Sequence, residues 1–207
     1  MKIVCYCAHA DDLVLGAGGY LARLAAEEEN QVTAVFATDG LMHPPKYTDT
    51  REWAKKACET LGIKEIKWLN LQNQRFDSYA MIDINQRYEA LELKPDLLLT
   101  NSKNQLNKDH RIIHESAQVV TRPLEKHVNV LSFEATPWRV DPFIPQFYAN
   151  ITETLDQKIK AMEAFKSEVR QWPHPRSGKA IKTIAAYWGM HAGYEYAEPF
   201  KVVQWFK

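Results

Sequence analysis

The chain has little cysteine, no surplus of charge and no long apolar run. Its three cysteines, Cys5, Cys7 and Cys58, are odd in number among 207 residues. Cys5 and Cys7 stand two apart in one apolar segment, too close for a disulfide, so the thiols read as core residues and a disulfide-held scaffold is excluded. Lysine and arginine total 26 and aspartate and glutamate total 26. That balance leaves no electrostatic footprint for nucleic acid or for an anionic membrane. No segment reaches the ~20 consecutive apolar residues of a membrane span. Met1-Lys2 opens directly into apolar sequence without the stretch of a signal peptide, so the expected location is cytoplasmic. With 45% hydrophobic residues and neither repeat nor low-complexity linker, one enzyme-sized core is expected.

What the sequence does have is alternation of strand and helix. Residues 3–8, Ile-Val-Cys-Tyr-Cys-Ala, are short and apolar, as for a strand covered on both faces. Further strands are expected at 31–38, 65–71, 96–100 and 128–134, with helices at 14–29, 50–61, 78–93 and 110–121 between them. Such β-α units predict a mostly parallel, doubly wound α/β sheet of Rossmann-like type in a single domain spanning 1–207. The core is expected at about 1–135. An extension at about 136–207, rich in proline and aromatics at first, should carry helices at 152–170 and 178–188 and a last strand at 201–206.

Chemistry concentrates at two strand ends, where open α/β sheets build their sites. His9-Ala10-Asp11-Asp12 closes the first strand, with Gly16-Ala17-Gly18-Gly19 read as a glycine-rich turn just beyond. The His9 imidazole and the Asp12 carboxylate can close on one divalent ion while Asp11 points toward a bound water. Adjacent carboxylates repel unless a cation compensates them. The same residues also suit a plain helix cap. Asn107-Lys108-Asp109-His110-Arg111 follows the fourth strand and offers His110 as a third ligand, with Asp109 behind it. Two histidines and one carboxylate with an open position make the ligand set of a catalytic zinc.

These residues, in order along nearly the whole chain with Thr38-Asp39-Gly40, Arg51-Glu52 ahead of Leu61-Gly62 and a late Tyr196-Ala197-Glu198-x-Phe200, resemble the LmbE/PIG-L family of zinc-dependent de-N-acetylases. The resemblance implies a Rossmann-like fold and His9, Asp12 and His110 as Zn2+ ligands. It implies Asp11 as general base and an N-acetylated amino sugar or its conjugate as the small-molecule substrate. It also implies a homo-oligomer, since in several members a neighbouring subunit completes the site.

Departures from the family pattern sharpen the expectations. Ala10 and Leu13 replace the proline and glutamate of H-P-D-D-E. Asn107 stands where the second motif often carries a histidine, and Asn73 where an aspartate borders the sugar. Pro173-His174-Pro175-Arg176-Ser177 is a stiff loop that offers a replacement imidazole, His174, as a catalytic group in its own subunit or an adjacent one. Arg51, Asn73, Asn107 and Arg176 are the expected substrate-binding residues, Arg51 by a bidentate grip on an anionic group. His43, His114, His127 and His191 are expected to be structural. Two alternatives stand beside an amide hydrolase. One is a member that binds zinc or a sugar with reduced turnover; the other is a nucleotide-binding α/β protein using Gly16 to Gly19.

Overall fold

A computed structural model describes residues 1–42, 48–124 and 127–206. In chain order the elements are β1 (Lys2–Cys7), α1 (Ala10–Ala25), β2 (Gln31–Thr38), the short strands β3 (Leu41–Met42) and β4 (Thr48–Asp49), α2 (Arg51–Thr60) and β5 (Glu65–Leu71). A 3-10 turn at Phe76–Ser78 precedes α3 (Met81–Glu89), β6 (Leu97–Asn101), α4 (Lys108–Val120) and β7 (Asn129–Phe133). The chain continues through β8 (Phe147–Asn150), α5 (Leu155–Glu163), α6 (Gly178–Ala192) and β9 (Ala197–Gln204).

Seven strands form one mixed sheet in the order β5-β2-β1-β6-β7-β9-β8. The first five are parallel, and β9 and β8 join antiparallel. This is the expected Rossmann-like α/β sheet. The chain leaves β1 toward β2 on one side and reaches β6 on the other, so the carboxyl ends of β1 and β6 flank the topological switch point. Residues beyond 136 extend that same sheet through β9 and β8.

The parallel strands alternate their side chains between two apolar layers. Cys5, Cys7, Ala34 and Leu99 face α1, α2 and α5. Val4, Tyr6, Val35 and Leu98 face α3 and α4. All three cysteines are buried and free. Among the described residues no helix is long and apolar enough to cross a membrane.

The start of α1 differs from the sequence expectation. The helix begins at Ala10 rather than at 14, because the His9 backbone N–H donates to Asp12 Oδ2 at 3.0 Å and caps it. Gly16 to Gly19 are therefore helical rather than a turn. They are small because neighbours press on the helix: a Cβ at Gly16 would lie 1.9 Å from the Phe133 ring, and one at Gly19 2.8 Å from Ile151. Glycines packed this way have no phosphate to cradle, which removes the basis of the nucleotide alternative.

At the far end of the chain, β8 and the start of β9 at Ala197 were not expected. Prolines at 142 and 145 mask a short strand, and β8 gains its order by pairing with β9. There, too, lies the glutamate of Tyr196-Ala197-Glu198. Glu198 is buried under α1, where its two oxygens accept the Gly19 and Tyr20 N–H groups at 2.9 and 2.7 Å. Lys158 of α5 donates to Glu198 at 2.6 Å and to the Leu15 carbonyl at 2.7 Å. Both halves of one helical rung, the Leu15 carbonyl and the Gly19 amide, thus have partners outside the helix.

Candidate metal site

Three side chains converge where β1 and β6 end. His9 caps α1, Asp12 sits in its first turn, and His110 sits in the first turn of α4. Asp12 Oδ2 lies 3.3 Å from His9 Nδ1 and 3.1 Å from His110 Nε2, and the two imidazole nitrogens are 3.2 Å apart. These residues form the His-Asp-His cluster suited to a metal ion. Donor atoms held about 2.0 Å from a tetrahedral ion lie roughly 3.3 Å from one another, so the spacing fits.

The outer nitrogens of both rings explain why the inner ones converge. His110 Nδ1 donates to Gln105 Oε1 at 2.9 Å, and His9 Nε2 donates to Asp109 Oδ2 at 3.3 Å. With those protons placed outward, Nε2 of His110 and Nδ1 of His9 each turn a lone pair toward a carboxylate oxygen. Three acceptors facing one another at this range require a cation or a proton among them. The titration of the metal-free groups reflects that demand. Burial pulls the His9 pKa down, but its bonds to Asp109 and Asp12 outweigh this and push it up to about 10. Burial likewise raises Asp12, yet the His110 and His9 imidazoles hold it well below the usual carboxylate range. A metal ion at this place would supply the positive charge that the proton otherwise brings.

The supporting groups are tightly held. Asp109 also accepts the backbone N–H groups of Gln74 at 2.8 Å and Phe76 at 3.2 Å. Asn107 is the cap of α4, its Oδ1 accepting the Asp109 N–H at 2.9 Å. Asn101, at the end of β6, donates to Asp12 Oδ2 at 3.2 Å and accepts the Ala8 N–H at 2.8 Å. His114 lies behind, donating from Nδ1 to the Asn101 carbonyl at 2.9 Å.

A cavity of about 550 Å³ opens over the cluster. Of the expected site residues it is lined by His9, Asp11, Asp12, Asn73, Asn107, His110 and Arg176. Asp11 Oδ2 accepts from Arg176 Nε at 2.8 Å and Nη2 at 2.7 Å, while Arg176 Nη1 lies 3.1 Å from Glu168. Burial works against the Arg176 charge, and the Asp11 and Glu168 carboxylates more than restore it. Asn73 donates to the Leu41 carbonyl at 3.0 Å.

Three expected residues, Asp109, His174 and Arg51, stand outside that lining. His174 touches two lining residues, its Nδ1 accepting the Arg176 N–H at 3.1 Å and its ring set edgewise to Trp138 with centroids 5.4 Å apart. The Arg51 guanidinium donates to the Asp39 carbonyl at 3.0 Å and to Asn70 Oδ1 at 2.6 Å and lies over Trp68. It borders a separate groove. His43 lies outside the described residues.

Sequence reasoning missed Gln105, Asn101, Glu168 and Trp138. Gln105, five residues before His110, belongs to no local motif. Glu168 and Trp138 reach the site only through the tertiary fold.

The family model described as PIG-L, GlcNAc-PI de-N-acetylase, matches residues 4–121, more than half of the chain. The uncharacterized deacetylase YaiS of Escherichia coli is 28% identical over 77% of this chain and 88% of its own length. Diacetylchitobiose deacetylase of Thermococcus kodakarensis is 22% identical over 98% of this chain and 83% of its own. Among solved structures, the conserved protein TT1542 of Thermus thermophilus superposes with a TM-score of 0.80 at 24% identity, covering 98% of this chain and 94% of that one.

Proposed function

This chain belongs to the PIG-L family, and from that premise we propose that it is a zinc-dependent hydrolase removing the acetyl group from an N-acetylated amino sugar or its conjugate. The observation that carries the reading is the triangle of His9, Asp12 and His110, with both imidazoles oriented by Gln105 and Asp109 so that their lone pairs meet at a carboxylate. Two imidazoles and one carboxylate suit zinc, and one position stays open for substrate. The ion supplies Lewis acidity at the acetyl carbonyl and a water of lowered pKa.

The remaining work falls to the chain. Asp11, next to the ligands in the cavity, takes the proton of the attacking water and delivers it to the departing nitrogen, so amide and water become amine and acetate. Arg176 holds Asp11 in place through two bonds to one oxygen, and Glu168 holds Arg176. Asp109 acts through His9, whose outer nitrogen it engages. Asn73, Asn107 and Arg176 border the substrate, and His174 acts on the same wall through Arg176. The protein works as a cytoplasmic homo-oligomer, for which exposed apolar side chains such as Ile144, Trp172 and Met190 supply contact surface.

The test is acetate release from a panel of N-acetylglucosamine derivatives, with metal content measured on the same samples. Wild type should carry about one zinc per chain and lose activity to a chelator. Asp11→Asn should keep the zinc and lose turnover by ~10²-fold or more. Zinc-free wild type active on the panel, or an Asp11→Asn variant of unchanged turnover, overturns the reading.

A further inference from the structure

We infer that Trp138 is a stacking platform for the pyranose ring of the substrate and sets sugar specificity from the β7 flank of the metal site. The inference rests on the deacetylase reading and names a part of its substrate: a ring with an apolar C–H face, as opposed to an acyclic acetamide.

Trp138 lines the cavity and leaves 48% of its surface exposed. The backbone that carries it is nonetheless tightly registered. The Trp138 backbone carbonyl accepts the Leu106 N–H at 3.0 Å, and two residues on the Val140 N–H donates to the Asn104 carbonyl at 2.8 Å. Gln105 Nε2 donates to the Thr136 carbonyl at 2.7 Å, so the residue that orients His110 also anchors the segment after β7 that carries Trp138. The backbone at Trp138 therefore has a set position relative to His110.

His174 supports the ring from the side in a near-perpendicular contact of 85°. Burial, with the nearby Arg176 and Arg170 charges, holds its pKa below the ordinary value. A large aromatic surface held open at a cavity wall is a prepared contact for an apolar face. The sheet order places Asn73 and Gln74, which follow β5, on one flank of β1 and Trp138, which follows β7, on the other. Amide groups on one flank and an indole on the other suit a ligand with a hydrogen-bonding rim and an apolar face, which is a pyranose.

The experiment compares hydrolysis of N-acetylglucosamine with that of N-acetylethanolamine by the zinc-loaded full chain, as wild type, Trp138→Ala and Trp138→Phe. Trp138→Ala should raise KM for the sugar roughly tenfold, the scale of one aromatic contact, with kcat within about twofold. KM for the acyclic acetamide should not move, and Trp138→Phe should recover most of the loss. Equal changes on both compounds, a fall in kcat at constant KM, or a changed oligomer mass in Trp138→Ala would overturn the platform. If neither compound is hydrolysed, the deacetylase reading fails separately, and NMR line broadening of methyl N-acetylglucosaminide decides the platform. Broadening by wild type and Trp138→Phe but not by Trp138→Ala supports it; no broadening by wild type, or equal broadening by all three, overturns it.

Discussion

Helix α1 carries a buried ionic cluster at its start and another along its middle, and the two are built on opposite rules. In the middle, Lys158 and Glu198 meet at 2.6 Å, and their other bonds go to the Leu15 carbonyl and to the Gly19 and Tyr20 amides. Donors match acceptors, and nothing further is needed. At the start, His9, Asp12 and His110 bring three acceptors within 3.1–3.3 Å of one another while their protons face outward. Burial is similar in both, so burial does not distinguish architecture from chemistry; the balance of donors does. A closed cluster joins elements, whereas one short of positive charge holds a cation.

The strongest way to break this contrast is Asp12→Ala. It should leave no stoichiometric zinc on the folded protein and reduce turnover to background, as read by metal analysis and acetate release. Full occupancy would show that the triangle is not the metal site. Glu198→Ala strikes the other cluster by stranding the Lys158 charge, and should cost about 3–5 kcal/mol of stability in denaturant unfolding. The molecules that remain folded should still bind zinc, since no metal ligand has been touched.

Gln105→Leu lies between the two extremes. It removes the acceptor that turns His110, and zinc affinity should fall about 10–100-fold in competition with a chelating dye. An unchanged affinity would mean that packing alone orients the ring. The smallest effect concerns Glu134, whose Oε2 lies 3.2 Å from Arg139 while its buried Oε1 has no hydrogen-bond partner. Burial pushes its pKa up to about 7 against the pull of Arg139. Between ~4.3, the value in the unfolded chain, and about 7, the folded protein keeps a proton that the unfolded chain gives up. Stability should therefore decline as pH rises through that window and level off above it. Glu134→Gln should flatten the decline in melting temperature between pH 5 and 8; an unaltered slope would place the titration elsewhere.

Much of the metal site was legible because its parts are local. His9, Asp11 and Asp12 directly follow an apolar strand, Asp109 and His110 follow another, and the geometry of a parallel sheet brings two such ends together. The β-α alternation gave the sheet class for the same reason. Interactions between distant segments were not legible. The glycines of α1 read as a turn because Phe133 and Ile151, which press on them, lie far along the chain. β8 could not be read because its order comes from β9. Arg51 reads as an anion-binding residue, and in the fold its guanidinium donates to the Asp39 carbonyl and to Asn70 Oδ1 and lies over Trp68. Such competition between local partners and ligand depends on distances that spacing does not contain.

The Glu198 clasp also orders events in time. Gly19 and Glu198 are 179 positions apart, so a ribosome delivers α1 long before the carboxylate that secures it. Lys158 emerges first, and until β9 follows it brings a buried charge to the helix without its partner. His9 caps that same helix and Asp12 sits in its first turn, so a motif made early is secured by a strand made much later. A nascent chain halted before β9 should expose the apolar side of α1 and be a substrate for chaperones, with proficient zinc binding arising only after β9 has been made.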